Sequence, residues 1–143
     1  MTTVYFHLAF PVGDVERTKA FYVEGLGCQV GRENDQSVIL NLYGNQLVAH
    51  VTEEPLTRQR SIYPRHFGLI FAEEPDWEAL LERSQQQGLN FYQQPKRRFP
   101  DSPLEHRTFF LEDPFFNLLE FKYYRHADAI FGAAQLAQIG DRP

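Results

Sequence analysis

Three residues of this chain have the types and settings of metal ligands: His7, His66 and Glu120. His7 lies in Phe6-His7-Leu8-Ala9-Phe10, where Phe6, Leu8 and Phe10 take one side of a strand and His7 and Ala9 the other. His66 opens His66-Phe67-Gly68-Leu69-Ile70-Phe71 with the same alternation. Glu120 lies in Leu118-Leu119-Glu120-Phe121-Lys122-Tyr123, opposite the apolar row of Leu119, Phe121 and Tyr123. A carboxylate on an inner sheet face is costly unless it is paired or bound to a cation. Two imidazoles and a carboxylate from separate strands suit a divalent ion such as iron, manganese, nickel, cobalt or zinc. Coordination positions are then left open for a substrate.

Other polar residues cluster around this set in the sequence pattern. His50 is a fourth candidate, as ligand or catalytic group, on a strand that mirrors the one carrying Glu120. His106 shares a strand face with Thr108 and Phe110. Its ordinary pKa near neutrality makes it a candidate general acid or base, with Thr108 and Phe110 lining the same space. Arg98 ends the basic run Pro95-Lys96-Arg97-Arg98 and is a candidate clamp for a substrate carboxylate or phosphate. The competing readings are a hydrogen-bonded structural histidine at 106 and a solvated basic loop around 98.

The elements that must position these groups repeat. A strand at Val4 to Phe10 is broken by Pro11-Val12-Gly13, and Asp14 caps a helix from about Val15 to Glu24 that Gly25 and Gly27 end. Strands follow at Cys28 to Glu33, Ser37 to Tyr43 and Gln46 to Thr52. Glu53 to Arg65 is polar and reads as a linker. The second half runs from a strand at His66 to Phe71, through a helix opened by Pro75-Asp76 and stopped by Gly88, to strands at Leu89 to Gln94, His106 to Leu111 and Leu118 to Tyr124. Pro95 to Pro103 reads as a basic loop, and Ala127 to Ile139 as an Ala-rich helical arm. Asp14 matches Asp76, Gly25-Leu26 matches Gly88-Leu89, and His7 matches His66. The expected fold is therefore α+β, with two paired βαβββ modules (about 4–52 and 66–124) in one domain and a tail from 126 to 143.

The chain resembles the vicinal oxygen chelate superfamily, which includes glyoxalase I, fosfomycin-modifying thiol transferases, extradiol dioxygenases and bleomycin-resistance binders. The resemblance rests on His7, the Asp14-to-Tyr22 and Leu26-Gly27 block, His66-Phe67-Gly68, and Phe110-to-Pro114 leading to Asn117-Leu118-Leu119-Glu120. It implies a divalent metal held by His7, His66 and Glu120, and a small substrate that chelates it through neighbouring oxygens. It further implies a lyase, isomerase or dioxygenase activity. Two departures stand out. Asp113-Pro114-Phe115-Phe116-Asn117 carries Phe116 where the family turn has glycine, and His50 stands where glyoxalase I has a glutamate, which argues against glyoxalase I activity itself.

Composition narrows the rest. A length of 143 residues suits one domain, and a formal net charge of −5 gives no basic footprint for nucleic acid. No apolar run is long enough for a membrane helix, and the N-terminus lacks signal-peptide features. One cysteine, Cys28, fits a reducing, cytoplasmic setting. A homodimer acting on a small molecule is expected, with the cleft formed either within one chain or across two. The alternative is a non-catalytic binder of bleomycin-resistance type that sequesters a small aromatic ligand.

Overall fold

A computed structural model describes residues 1–142. The first module holds strands β1 (His7–Val12), β2 (Gln29–Glu33), β3 (Ser37–Leu42) and β4 (Asn45–Val51), in the sheet order β1-β4-β3-β2. The second holds β5 (Phe67–Phe71), β6 (Phe91–Arg98), β7 (His106–Glu112) and β8 (Leu118–Tyr124), in the order β5-β8-β7-β6. In each sheet the first strand pairs parallel with the last, and the other pairings are antiparallel. Helix α1 (Val15–Lys19) continues as a π-helical segment over Ala20–Gly25, and α2 (Glu74–Gln86) is the counterpart in the second module. This is the α+β architecture of paired βαβββ modules.

Local chemistry explains most element ends. Asp14 accepts a hydrogen bond from the Arg17 amide at 2.7 Å and so satisfies an orphan N–H at the start of α1. Asp76, its expected counterpart, instead lies inside the first turn of α2, whose N-cap is Glu73 with no side-chain cap bond. Pro75 sets the entry there.

Proline does not stop strands where the sequence pattern implied it would. β1 runs through Pro11 to Val12, and β6 runs through Pro95 to Arg98. Both are edge strands, which tolerate a residue without an N–H, and β6 is irregular in register between Gln93 and Lys96. The Lys96-Arg97-Arg98 run is therefore strand rather than loop. The Ala-rich arm is also shorter than expected, since α3 spans only Asp128–Phe131. Gly132 leaves the helical region, and Ala133 follows with φ of 55°. The turn at Asp113–Asn117 keeps its form without glycine. Asp113 Oδ1 accepts from the amides of Phe115 and Asn117 at 2.8 and 2.9 Å, which holds Phe116 at φ of 70°.

One hydrophobic core serves both modules. It gathers Phe10, Val12, Tyr22, Leu40 and Leu47 from the first with Phe71, Trp77, Phe109, Leu119 and Phe121 from the second. Phe10 and Phe67 meet across the junction with ring centroids 5.4 Å apart. Arg83 on α2 donates to the carbonyls of Gly25 and Glu24 at 2.8 and 2.9 Å, and Trp77 Nε1 donates to the Phe121 carbonyl at 2.8 Å. The helix-bearing faces of the two sheets thus share their interior, and the opposite faces are left for other work.

Tyr22 and Asp113 tie this junction by a buried hydrogen bond of 2.8 Å from the phenol to Oδ2. Burial pushes the Asp113 carboxyl above its ordinary value, against the hydrogen bonds it accepts. Replacing Tyr22 with Phe removes the donor and leaves that oxygen with one fewer partner. The expected loss is about 1–2 kcal/mol in urea denaturation; a change within error of zero would show that the bond does not hold the modules together.

Candidate functional site

The face of the second sheet opposite the helices carries His106, Thr108 and Phe110 on β7, and Leu118, Glu120 and Lys122 on β8. His66 stands immediately before β5, beside Gly68, which pairs with Glu120. Gly68 has no substitute here: a Cβ would run into the Glu120 backbone carbonyl.

His66 and Glu120 meet. His66 Nε2 lies 3.1 Å from Glu120 Oε1, and the other ring nitrogen, Nδ1, lies 2.7 Å from the Ile62 carbonyl. A carbonyl only accepts, so Nδ1 carries a proton and Nε2 is the atom presented to the carboxylate. Glu120 Oε2 accepts from the Thr108 hydroxyl at 2.6 Å, and Lys122 Nζ approaches Oε1 at 3.9 Å. The Glu120 hydrogen bond raises the His66 pKa above its ordinary value of 6.5, against burial. Burial alone would raise Glu120, but the His66 hydrogen bond, the Lys122 charge and the Thr108 hydroxyl outweigh it and hold it below 4.5.

This arrangement fits a divalent cation in donor chemistry. An imidazole steered by a carbonyl and a carboxylate steered by a hydroxyl are what a ligand pair needs from its surroundings. Without an ion, Nε2 can face the carboxylate only by carrying a second proton. A cation would take that proton's place.

The remaining predicted residues lie apart from the pair in a single chain. His7 is exposed, with Nδ1 2.7 Å from Gln46 Oε1, and borders a cavity of about 480 Å³ with Tyr5, Phe6 and Ile39. His66 borders a different one of about 540 Å³ with Leu8, Arg65 and Phe116. Among the described residues, no group of three His, Cys, Asp or Glu side chains is close enough to hold an ion. The three predicted ligands are therefore not assembled within one chain.

His50 does not occupy the position that mirrors Glu120. His7 pairs with Gln46, whereas Glu120 lies one step beyond the Phe67–Leu119 pair and opposite Gly68; the equivalent of Gly68 is Ala9, which pairs with Val48. His50 mirrors Lys122 instead, is exposed, and lies 2.7 Å from the Ser37 hydroxyl through Nδ1. Period-2 reading gave the correct face but not the register along it.

His106 is buried on the same face as Glu120, with Nδ1 2.9 Å from the Leu104 carbonyl and its ring 4.8 Å from Tyr124. Burial is the largest influence on it and lowers its pKa below 6.5. Phe110 packs its ring edge against His66, with centroids 5.1 Å apart. Arg98, opposite His106 in register, contacts the Asp141 carboxylate. The sequence reading missed the apolar cover of this face. Ile62 and Tyr63 from the linker, with Tyr92, pack on Phe110 and Leu118. The aromatic-proline step just ahead of His66 was the available signal.

The family model described as Glyoxalase/Bleomycin resistance protein/Dioxygenase superfamily matches residues 5–121. The chain belongs to this superfamily. Among solved structures of the superfamily fold, a glyoxalase/bleomycin resistance protein/dioxygenase from Alicyclobacillus acidocaldarius is 41% identical with a TM-score of 0.85, covering 90% of this chain and 96% of that one. The fosfomycin resistance protein FosX from Listeria monocytogenes is 15% identical, TM-score 0.68, covering 90% and 99%. FosX from Mesorhizobium loti is 15% identical, TM-score 0.66, covering 91% and 99%. No curated protein matches the sequence. Among the described residues, no helix is long and apolar enough to cross a membrane.

The paired shifts at His66 and Glu120 set a pH signature for the metal-free chain. A raised His66 value means its contribution is complete below pH 6.5 and is lost as pH rises through the folded value. A lowered Glu120 value means its contribution is present above pH 4.5 and is lost as pH falls through the folded value. The stability difference between the native chain and His66→Gln should be largest between these limits and shrink towards pH 9 in denaturant titrations. A difference independent of pH would contradict the ion pair.

Proposed function

We propose that this protein is a metal-dependent enzyme of the superfamily, acting on a small oxygen-rich molecule in a lyase, isomerase or dioxygenase reaction. The observation that carries the reading is the part-buried His66–Glu120 pair, with each partner oriented by its own hydrogen bond to Ile62 or Thr108. The third ligand is His7 of a second copy of the chain. The first module's outer face, with His7, Ala9 and His50 exposed and Ile39 and Val48 half-buried, is open to receive the second module's face in a homodimer. Tyr5 and Phe6, 76% and 60% exposed beside His7, give that face apolar surface to bury.

The ion, when bound, supplies a Lewis acid towards substrate oxygens. The chain's own residues do the rest. Thr108 holds the Glu120 carboxylate in place, and Phe110 with Ile62 and Tyr63 excludes water from one side of the pair. Burial lowers the His106 pKa, and with Nδ1 committed to the Leu104 carbonyl, Nε2 is the atom that can accept a proton. His50 is an exposed group of the opposing face, on hand for the same cleft.

A second reading, a non-catalytic binder, draws on the cluster of Ile62, Tyr63, Tyr92, Phe110 and Leu118, which suits a small aromatic ligand. Metal analysis separates the two. Protein purified without chelator or metal-affinity resin should carry a divalent ion in stoichiometric amount, and His7→Ala, His66→Ala and Glu120→Ala should each lose it. Native protein free of metal under these conditions would favour the binder. Thr108→Val should retain the fold and weaken metal affinity by about 10–100-fold in competition titrations, as loss of an orienting hydrogen bond does.

A further inference from the structure

The ligand face of the second module is crossed by the chain's own C-terminal segment. Asp141 donates its amide to the Tyr63 hydroxyl at 2.7 Å and places its carboxylate on the Arg98 guanidinium. Arg142 lies over the Tyr63 ring at 4.6 Å, and Gln138 closes the turn by donating to the Gly140 carbonyl at 2.7 Å. Gly140 has φ of 56°, and a Cβ there would strike the Tyr63 hydroxyl, so the segment is fitted closely to that ring. Tyr63 stands 6.4 Å from His66 between ring centroids, and Arg98 stands opposite His106 in register. The segment therefore bridges the His66 side of the face and the His106 side.

The charge on this face is unlike the chain as a whole. Net charge is −5, yet Lys96 and Arg98 on β6 pair with Thr108 and His106, and Lys122 pairs with Thr108 from the other side. Directly opposed residues share a sheet face, so three cations converge on the part of the face around Glu120, while the other carboxylate in this register, Glu112, is held by Arg58 and Asn90. Glu120 is engaged by His66 and Thr108. Arg98 is only 11% exposed and is backed by the Phe99 ring at 5.0 Å. The carboxylate that answers Arg98 is the more exposed member of the pair, with Asp141 54% exposed.

We propose that Arg98 is the oxyanion-recognition residue of the cleft, and that Asp141 is an internal stand-in which a substrate carboxylate, phosphate or phosphonate displaces, releasing residues 138–142 from the face. The inference deepens the functional reading and rests on its assignment of this face as the ligand face. It does not depend on the metal. A guanidinium fork accepts a two-oxygen anion in the same geometry whether the anion belongs to the chain or to a ligand. An internal competitor scales the apparent affinity down to the fraction of chains in which it is undocked.

The test uses full-length protein stripped of metal and then freed of chelator, at low ionic strength, with inorganic phosphate as probe and NMR titration as readout. Asp141→Asn should bind phosphate roughly three- to tenfold more tightly than the native chain, the range expected when a partly exposed ion pair stops competing. Deletion of 138–143 should do the same, and Arg98→Gln should abolish binding in every background. Saturating phosphate should also speed hydrogen exchange at the Asp141 amide of the native chain. Equal affinity in folded native, Asp141→Asn and deleted proteins would overturn the proposal. So would phosphate binding that survives Arg98→Gln, or no binding in any of them. If metal is absent from the purified protein but these phosphate results hold, the metal reading fails and this inference stands.

Discussion

The shared core between the two modules is the constraint on which the rest depends. Phe10 against Phe67, Tyr22 on Asp113 and Arg83 on the carbonyls of Glu24 and Gly25 join the helix-bearing sides of both sheets. A sheet has two faces, and once one of them is committed inward the other must look outward. His7 and the His66–Glu120 pair sit on those outward faces, so one chain cannot bring all three together. The separation of the histidines follows from where the apolar residues are buried.

The second module shows how a sheet face becomes a site. Gly68 lets β5 and β8 approach closely at Glu120, and Thr108 on the neighbouring strand takes one carboxylate oxygen. That leaves the other oxygen for His66, whose far nitrogen is fixed by the linker at Ile62. His66, Glu120 and Thr108 each have a partner on this face, which is the condition for keeping charge at low exposure. The apolar cover from Ile62 and Tyr63 strengthens the electrostatics by excluding water.

Alternation made much of this legible in the sequence. It gave the strand faces at His7, His66 and Glu120 and the place of Thr108 on the face of Glu120, because side-chain period in a strand is fixed by geometry. It did not give register. Strand order alone puts His50 in the place that mirrors Glu120, but Val48 holds it, since the parallel pairing of β1 with β4 is set by tertiary packing rather than by local pattern. Pro11 and Pro95 misled for a related reason: a proline stops a central strand, and whether a strand is central or an edge is not written locally. The tail departs from its Ala-rich composition because Gly132 ends α3 and the last residues are held by Tyr63 and Arg98, contacts far away in sequence.

The central claim is that two chains build one site, with His7 from one facing His66 and Glu120 of the other. The direct measurement is metal binding by mixed variants. His7→Ala and Glu120→Ala, each unable to bind a stoichiometric ion alone, are unfolded together, refolded as a mixture and assayed for bound metal. The account predicts that the mixture recovers metal, because a hybrid dimer contains one face pair with all three ligands intact. A mixture that binds no more than either variant alone, while forming dimers, would contradict it.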